Sequence, residues 1–490
     1  MISGLKYINK GYLVEPIKDI IQPLLIGSSI SILICIDPYI SSRLNIYLGD
    51  INPFRTIPYL ITILFLVVLS LILIVKVLSI SKEGINRFLL FTLLMTPFVT
   101  FLNLAGFRFG ILILTLCIGL WLMRGFYAGE IVFVKSSIYT VILIFLLPML
   151  ISSVIPIGGV FRNLFSIFDM FTSRILLVFF VINIIYTKWD LLRCINYLLY
   201  LGFASSLIAI CQLIIYLLSG INLSFATGEQ AWILLPFGKL PRVAALMLDP
   251  NELGAILAVL SAIALYLSLS NSFSNRRRLL YIIEFFFGFV AIVLTWSRTA
   301  WIVLGFSFFL IPFIKRSYLS TYIMSGIILL GIVGYFGGFI NVLPDIFVSL
   351  GEGSISFRED LFYIGLDAVR RYPLTGVGFN ASSEFNNPYD EPIHNGFLQV
   401  AAEMGLWGLF IFLGIFIYIF IKFLILLNEN KDKEFRGVVK ALFIGYLSFP
   451  IIFQFQPFAF EKFFWLFIGL CESLFLVFRE KKGLQISGGR

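Results

Sequence analysis

The chain has 490 residues, of which 60% are hydrophobic and 13% charged, with a mean hydropathy of +1.00 and a formal net charge of +9. A soluble domain is about half apolar and about a quarter charged, so an assembly of soluble domains is excluded and one membrane domain covers 1–490. The positive charge lies in short segments between apolar runs, the pattern of membrane topology rather than of a nucleic-acid surface.

In chain order, residues 1–19 carry Lys6, Lys10 and Lys18 with no small-residue cleavage site after the first apolar run, which reads as a retained cytoplasmic end. Runs such as 56–75 and 243–269 reach the roughly 20 residues that a helix needs to cross hydrocarbon. Hydropathy predicts about 12–14 spans, placed at 18–36, 57–80, 87–106, 108–123, 136–157, 172–187, 194–219, 243–269, 279–296, 299–315, 320–343, 396–427, 436–455 and 457–478. The break at Gly106 reads as a loop or a kink. With both termini cytoplasmic, roughly two basic residues fall inside for each one outside, which satisfies the positive-inside rule; the reverse orientation violates it. The cysteines (Cys35, Cys117, Cys194, Cys211, Cys471) lie in or beside apolar runs without CxxC spacing, as small hydrophobes rather than disulfides or metal ligands.

This topology puts 37–55, 157–171, 220–242, the tight turn Ser297-Arg298-Thr299 and the long segment 341–393 on the outer side. In the last, Phe357, Leu361, Ile364 and Ala368 recur at helical spacing, predicting a surface helix over 357–369. It ends before Tyr372-Pro373, where proline stops a helix.

The candidate chemistry gathers on that same side. Arg242, Arg298 and Arg358 are outward cations where topology disfavours them, and a guanidinium makes paired bonds to phosphate oxygens. Convergent, they would hold a pyrophosphate; taken singly, each is as well explained by snorkelling to headgroups or by a local carboxylate. His394 is the only histidine, and a neutral imidazole can take a proton from a sugar hydroxyl near neutral pH. Alone, it equally fits an interfacial helix cap. One histidine without clustered cysteines offers too few ligands for a metal. Asp249, in Asp249-Pro-Asn-Glu252, is read either as a helix cap or as an aid to an arginine. There is no phosphate-cradling glycine loop and no nucleotide-binding domain, so ATP is not expected to drive the protein.

The stretch His394-Asn-Gly-Phe-Leu-Gln-Val-Ala-Ala-Glu-Met-Gly-Leu-Trp-Gly408 resembles the signature of the bacterial O-antigen ligase and O-antigen polymerase superfamily. Leu248-Asp-Pro-Asn-Glu-Leu-Gly254, Trp296-Ser-Arg-Thr-Ala-Trp301 and Phe357-Arg-Glu-Asp-Leu-Phe362 with Tyr372-Pro-Leu-Thr-Gly-Val-Gly378 are similar to further motifs of that family, in its order, over residues 240–410. The resemblance implies an all-α, polytopic transmembrane bundle of the GT-C-like class with a long helical periplasmic loop, in the bacterial inner membrane. It implies a glycosyltransferase that moves glycan from undecaprenyl pyrophosphate to an acceptor hydroxyl without cofactor or metal. His394 falls on the family's catalytic histidine, Arg242 on one essential arginine, and Arg298 or Arg358 on the other. Asp249, Asn251, Asn395 and Glu403 are expected to bind substrate. Lipid-linked and acceptor glycans and membrane lipids would be its partners, together with a chain-length regulator and a flippase; nucleic acid would not. Length and the large outer loop favour polymerisation of repeat units over ligation to lipid A-core. A polysaccharide flippase is the reading from another class, but the internal repeat expected of a transporter is absent from the sequence, as are the motifs of shape-determining cell-wall polymerases.

Overall fold

The computed structural model describes residues 82–98, 103–104, 107–108, 133–154, 159–224, 232–235, 238–315, 352–429 and 432–487. The spans expected at 18–36, 57–80, 108–123 and 320–343, the loop 37–55, and Cys35 and Cys117 lie outside them. Two compact units divide the chain. The first, 1–85 with 214–223, is described only at the start of one helix and the end of another. The second, 86–213 with 224–490, holds the candidate residues.

The described helices are α1 (Lys82–Met95), α2 (Ile138–Ser153), α3 (Val160–Met170), α4 (Leu176–Ile184), α5 (Lys188–Ser219), α6 (Pro250–Leu269), α7 (Asn275–Leu294), α8 (Arg298–Lys315), α9 (Glu352–Arg371), α10 (Gly396–Glu429), α11 (Lys433–Phe455) and α12 (Lys462–Ser487). Six helical stretches among the described residues are long and apolar enough to cross a membrane, including 162–184, where one π turn at Phe171–Ile175 joins α3 to α4. The protein is a polytopic helical membrane protein.

Several boundaries depart from hydropathy. The run expected as a span from 243 becomes helical only at Pro250, where Asp249 caps α6 by accepting from the Asn251 amide at 2.7 Å. The segment 157–171, expected as a loop, is largely helix α3. The break near Gly106 carries a short antiparallel pair, Asn103–Leu104 against Phe107–Arg108, and a second pair, Trp232–Leu235 with Gly238–Pro241, leads into Arg242. The last span starts at Lys462 after a 3-10 turn at Phe458–Phe460. The surface helix α9 exceeds its predicted 357–369 at both ends.

α6 is the central helix, buried nearly all round and packed on α7, α8 and α11. Next to it, Phe412 and Phe416 of α10, Phe449 and Phe453 of α11 and Phe464 of α12 form a contiguous aromatic core, with ring centroids 5.2–6.2 Å apart. Such rings bury large apolar areas and add edge-to-face attraction. Nearer the end of α10 that bears Glu429, the buried Lys422–Glu472 ion pair ties it to α12 at 2.7 Å. At its other end, α9 lays Ile364 and Ala368 against Ile393, Leu398 and Ala402, a small satellite core that seats the surface helix.

Candidate active site

Arg242 is fixed before any ligand arrives. Its Nε donates to the Thr295 carbonyl at 2.9 Å and its Nη2 to Asn251 Oδ1 at 2.7 Å, so one guanidinium joins the last turn of α7 to the first turn of α6. This geometry uses the planar fork that lysine lacks. Burial lowers its pKa to about 10; Asp249 opposes that shift, and Arg358 and Arg298 add to it. Three cations therefore repel one another, two of them, Arg242 and Arg358, beside the Asp249 carboxylate. Asp249 is itself raised above the usual carboxylate range by burial, against the Asn251 amide, Arg242 and Arg358.

Arg298 opens α8. The preceding Trp296 sits at φ 53, and its ring lies 6.0 Å from that of Trp301, whose indole donates to the Ile292 carbonyl at 3.2 Å. The turn can come this close to α6 because residue 254 is glycine: a Cβ there would fall 2.9 Å from Ser297 Cβ and 3.0 Å from Ala300 Cβ. Arg358, on α9, is held below its ordinary pKa by burial and then by Arg298.

His394 shares a pocket of about 100 Å³ with Arg358, Phe362, Asn395, Gln454 and Phe455. Both imidazole nitrogens are buried and make no hydrogen bond among the described residues. Burial, and secondly the Arg358 charge, lower its pKa to about 4, so the ring is neutral at physiological pH. A buried imidazole with two unused nitrogens is costly to keep. It is also what a proton acceptor awaiting its donor looks like.

The four residues expected to bind substrate divide. Asn251 orients Arg242. Asn395 Oδ1 accepts from the Leu398 amide at 3.0 Å, starting α10, while its Nδ2 sits 3.4 Å from Gln454, so it both caps the helix and lines the pocket. Asp249 is a cap and also the counter-charge of Arg242 and Arg358. Glu403 is placed differently: it is 1% exposed and its carboxylate accepts from the Asn380 amide at 2.9 Å, Ser382 Oγ at 2.6 Å and Gln399 Nε2 at 3.1 Å. Its place is that of a clamp on the chain following α9. The clamp is completed by Val377 and Gly378 amides bonding to the Ala402 and Glu403 carbonyls.

Sequence reading missed Gln454, which lines the pocket, and Gln456, whose Nε2 donates to the Asn251 carbonyl at 3.3 Å. Two glutamines at the end of an apolar span were the available signal. It also missed Phe357 and Tyr389. The Phe357 ring stands edge-on to His394 at 5.8 Å.

The family model described as O-antigen ligase matches residues 283–413, which include Arg298, Arg358 and His394 but not Arg242. No curated protein matches the chain. The match over residues 283–413 supports a place in the O-antigen ligase and polymerase superfamily and a glycosyltransferase-type activity, in a chain whose described helices make it a multi-pass membrane protein.

Proposed function

We propose that the protein transfers glycan from undecaprenyl pyrophosphate to a sugar hydroxyl at the outer face of the bacterial inner membrane, extending a chain of repeat units. The observation that carries this is a group of three mutually repelling arginines, two of them beside the Asp249 carboxylate and one of these, Arg358, also beside a buried, neutral histidine with no hydrogen bond among the described residues. Excess positive charge at a partly buried site favours a multivalent anion. Pyrophosphate on a lipid carrier fits both the charge and the membrane setting.

In the reaction, the acceptor hydroxyl attacks the anomeric carbon and its proton passes to His394. The bond from that carbon to the pyrophosphate oxygen breaks, and the electron pair leaves with undecaprenyl pyrophosphate. Arg242, Arg298 and Arg358 neutralise the leaving group, electrostatic stabilisation that needs neither metal nor nucleotide. α9 covers the pocket through Arg358 and Phe362, which favours transfer to sugar over water.

Ligation is the second reading, favoured by the description of the matched family. Purified protein given lipid-linked repeats settles both points. Lengthening without added lipid A-core supports polymerisation; transfer only when core is supplied supports ligation. His394→Gln and Arg242→Gln should each lower the rate by about 10²-fold or more. Wild-type rates in both variants would refute the site.

A further inference from the structure

The His394 ring has two kinds of neighbour. It lines the pocket with Arg358, Asn395 and Gln454. It also stands 5.8 Å from Phe357, which does not line that pocket, and against Phe357 packs Tyr389, ring centroids 4.8 Å apart at 81°. The Tyr389 hydroxyl donates to Asp360 Oδ2 at 2.6 Å, yet 40% of the residue remains exposed, as does Asp360.

The loop bearing Tyr389 is shaped to hold it there. Asn386 (φ 47) and Asp390 (φ 54) both adopt left-handed backbone on either side of it. Asn387 braces the interval, accepting from the Tyr389 amide at 3.0 Å and donating to the Glu391 carbonyl at 2.7 Å. Left-handed residues cost energy even where Asn and Asp reduce it, and they concentrate at functional sites. The result is an aromatic and carboxylate shelf beside the imidazole, built from residues that do not line the Arg358 pocket. Such a shelf suits a neutral polyol: the apolar C–H face of a pyranose lies on an aromatic ring while hydroxyls donate to a carboxylate. It does not suit a pyrophosphate, which Asp360 would repel.

Resting on the transferase reading above, we propose that Phe357, Tyr389 and Asp360 form the acceptor-sugar subsite, which delivers the attacking hydroxyl to His394. The acceptor oxygen then meets the anomeric carbon from the side opposite the departing pyrophosphate while its proton passes to the imidazole.

The test uses the full-length protein in nanodiscs, lipid-linked repeat units as donor, and the delipidated repeat oligosaccharide as acceptor. Transfer and hydrolysis of the same donor are measured together. Tyr389→Ala should raise the half-saturating acceptor concentration about tenfold and lower the transfer-to-hydrolysis ratio by the same factor, the value of one good aromatic contact. The half-saturating donor concentration should not move. Tyr389→Trp should restore acceptor affinity, and Asp360→Asn should weaken it. An unchanged acceptor constant in Tyr389→Ala would overturn the proposal. So would a raised donor constant, which would assign the shelf to the donor. Transfer and hydrolysis falling in parallel would do the same, since the shelf would then only prop the histidine or sit in lipid headgroups. Wild-type transfer that survives His394→Gln would instead defeat the transferase reading itself.

Discussion

Arg358 faces His394 across the pocket, and its charge is the second cause, after burial, of an imidazole pKa near 4 instead of 6.5. That difference penalises the protonated ring by roughly 3 kcal/mol. The folded pKa lies below the unfolded one, so the unfolded chain binds the extra proton. Stability is therefore fully present above pH 6.5 and is lost progressively as pH falls towards 4. In the proposed reaction the same shift sets the catalytic profile. Because kcat/KM reports the free enzyme, its acid limb should lie near pH 4. The limb in kcat should lie higher, because bound pyrophosphate offsets the Arg358 charge. Arg358→Gln should lower kcat/KM by about 10²–10³-fold while moving its acid limb upward, towards 6.5, since burial alone then acts. Asp249 is the carboxylate that offsets part of the Arg358 charge. The assay is donor turnover in nanodiscs from pH 4 to 8 at constant ionic strength. A wild-type limb at 6.5, or one that does not respond to Arg358→Gln, would refute the electrostatic account, whatever the loss in rate.

Other substitutions probe the frame. Glu403→Ala strips the acceptor from the Asn380 amide, Ser382 and Gln399, at about 1–3 kcal/mol for each buried group; Tm should fall and proteolysis between residues 372 and 394 should accelerate. Gly405 sits at φ 71 and ψ 178, a region essentially closed to other residues, and a Cβ there would lie 2.2 Å from the Leu374 carbonyl oxygen. Gly405→Ala should cost at least the ~1–3 kcal/mol of that conformation and lower Tm and activity together. Arg358 and Arg242 should separate in thermal melts without donor. Arg358→Met removes a cation that makes no hydrogen bond among the described residues and should hold or raise Tm, whereas Arg242→Met strands Asn251 and the Thr295 carbonyl and should lower it.

Residues whose task is written in local spacing were legible. The stripe Phe357, Leu361, Ile364 and Ala368 announced a helix that the structure extends at both ends, and a helix cap was one of the two readings of Asp249, although the span was expected to start at 243. What hydropathy missed depends on partners far away in sequence. Residues 243–248 are as apolar as any span, yet they remain irregular because Arg242 must reach both Thr295 and Asn251, and a helix begun at 243 would leave Asp249 without a terminus to cap. Glu403 stands nine residues after His394 in the signature and so looked like a site residue. Two and a half helical turns instead carry it into the interior, where the chain after α9 closes over it. Tyr389 lies in a polar loop with no periodicity, and only the fold brings it to Phe357.

The site is expensive to hold empty. Three mutually repelling arginines, an imidazole with two unsatisfied nitrogens and left-handed residues at 296, 386 and 390 all oppose folding. The compensation is spatially separate: the Phe412–Phe464 aromatic core lies between α10, α11 and α12, and the Glu403 clamp lies behind the pocket. This separation has a mechanistic consequence. An arginine whose bonds were satisfied by protein carboxylates would need to break them to meet a leaving group, and that reorganisation would be added to the barrier. Here Arg242 is oriented in part through a carbonyl and an amide oxygen, neutral acceptors that fix its direction, while Asp249 offsets part of its charge. In the proposed reaction the remaining positive potential is in place before the bond to pyrophosphate breaks, and the stability lost in maintaining it lowers the barrier.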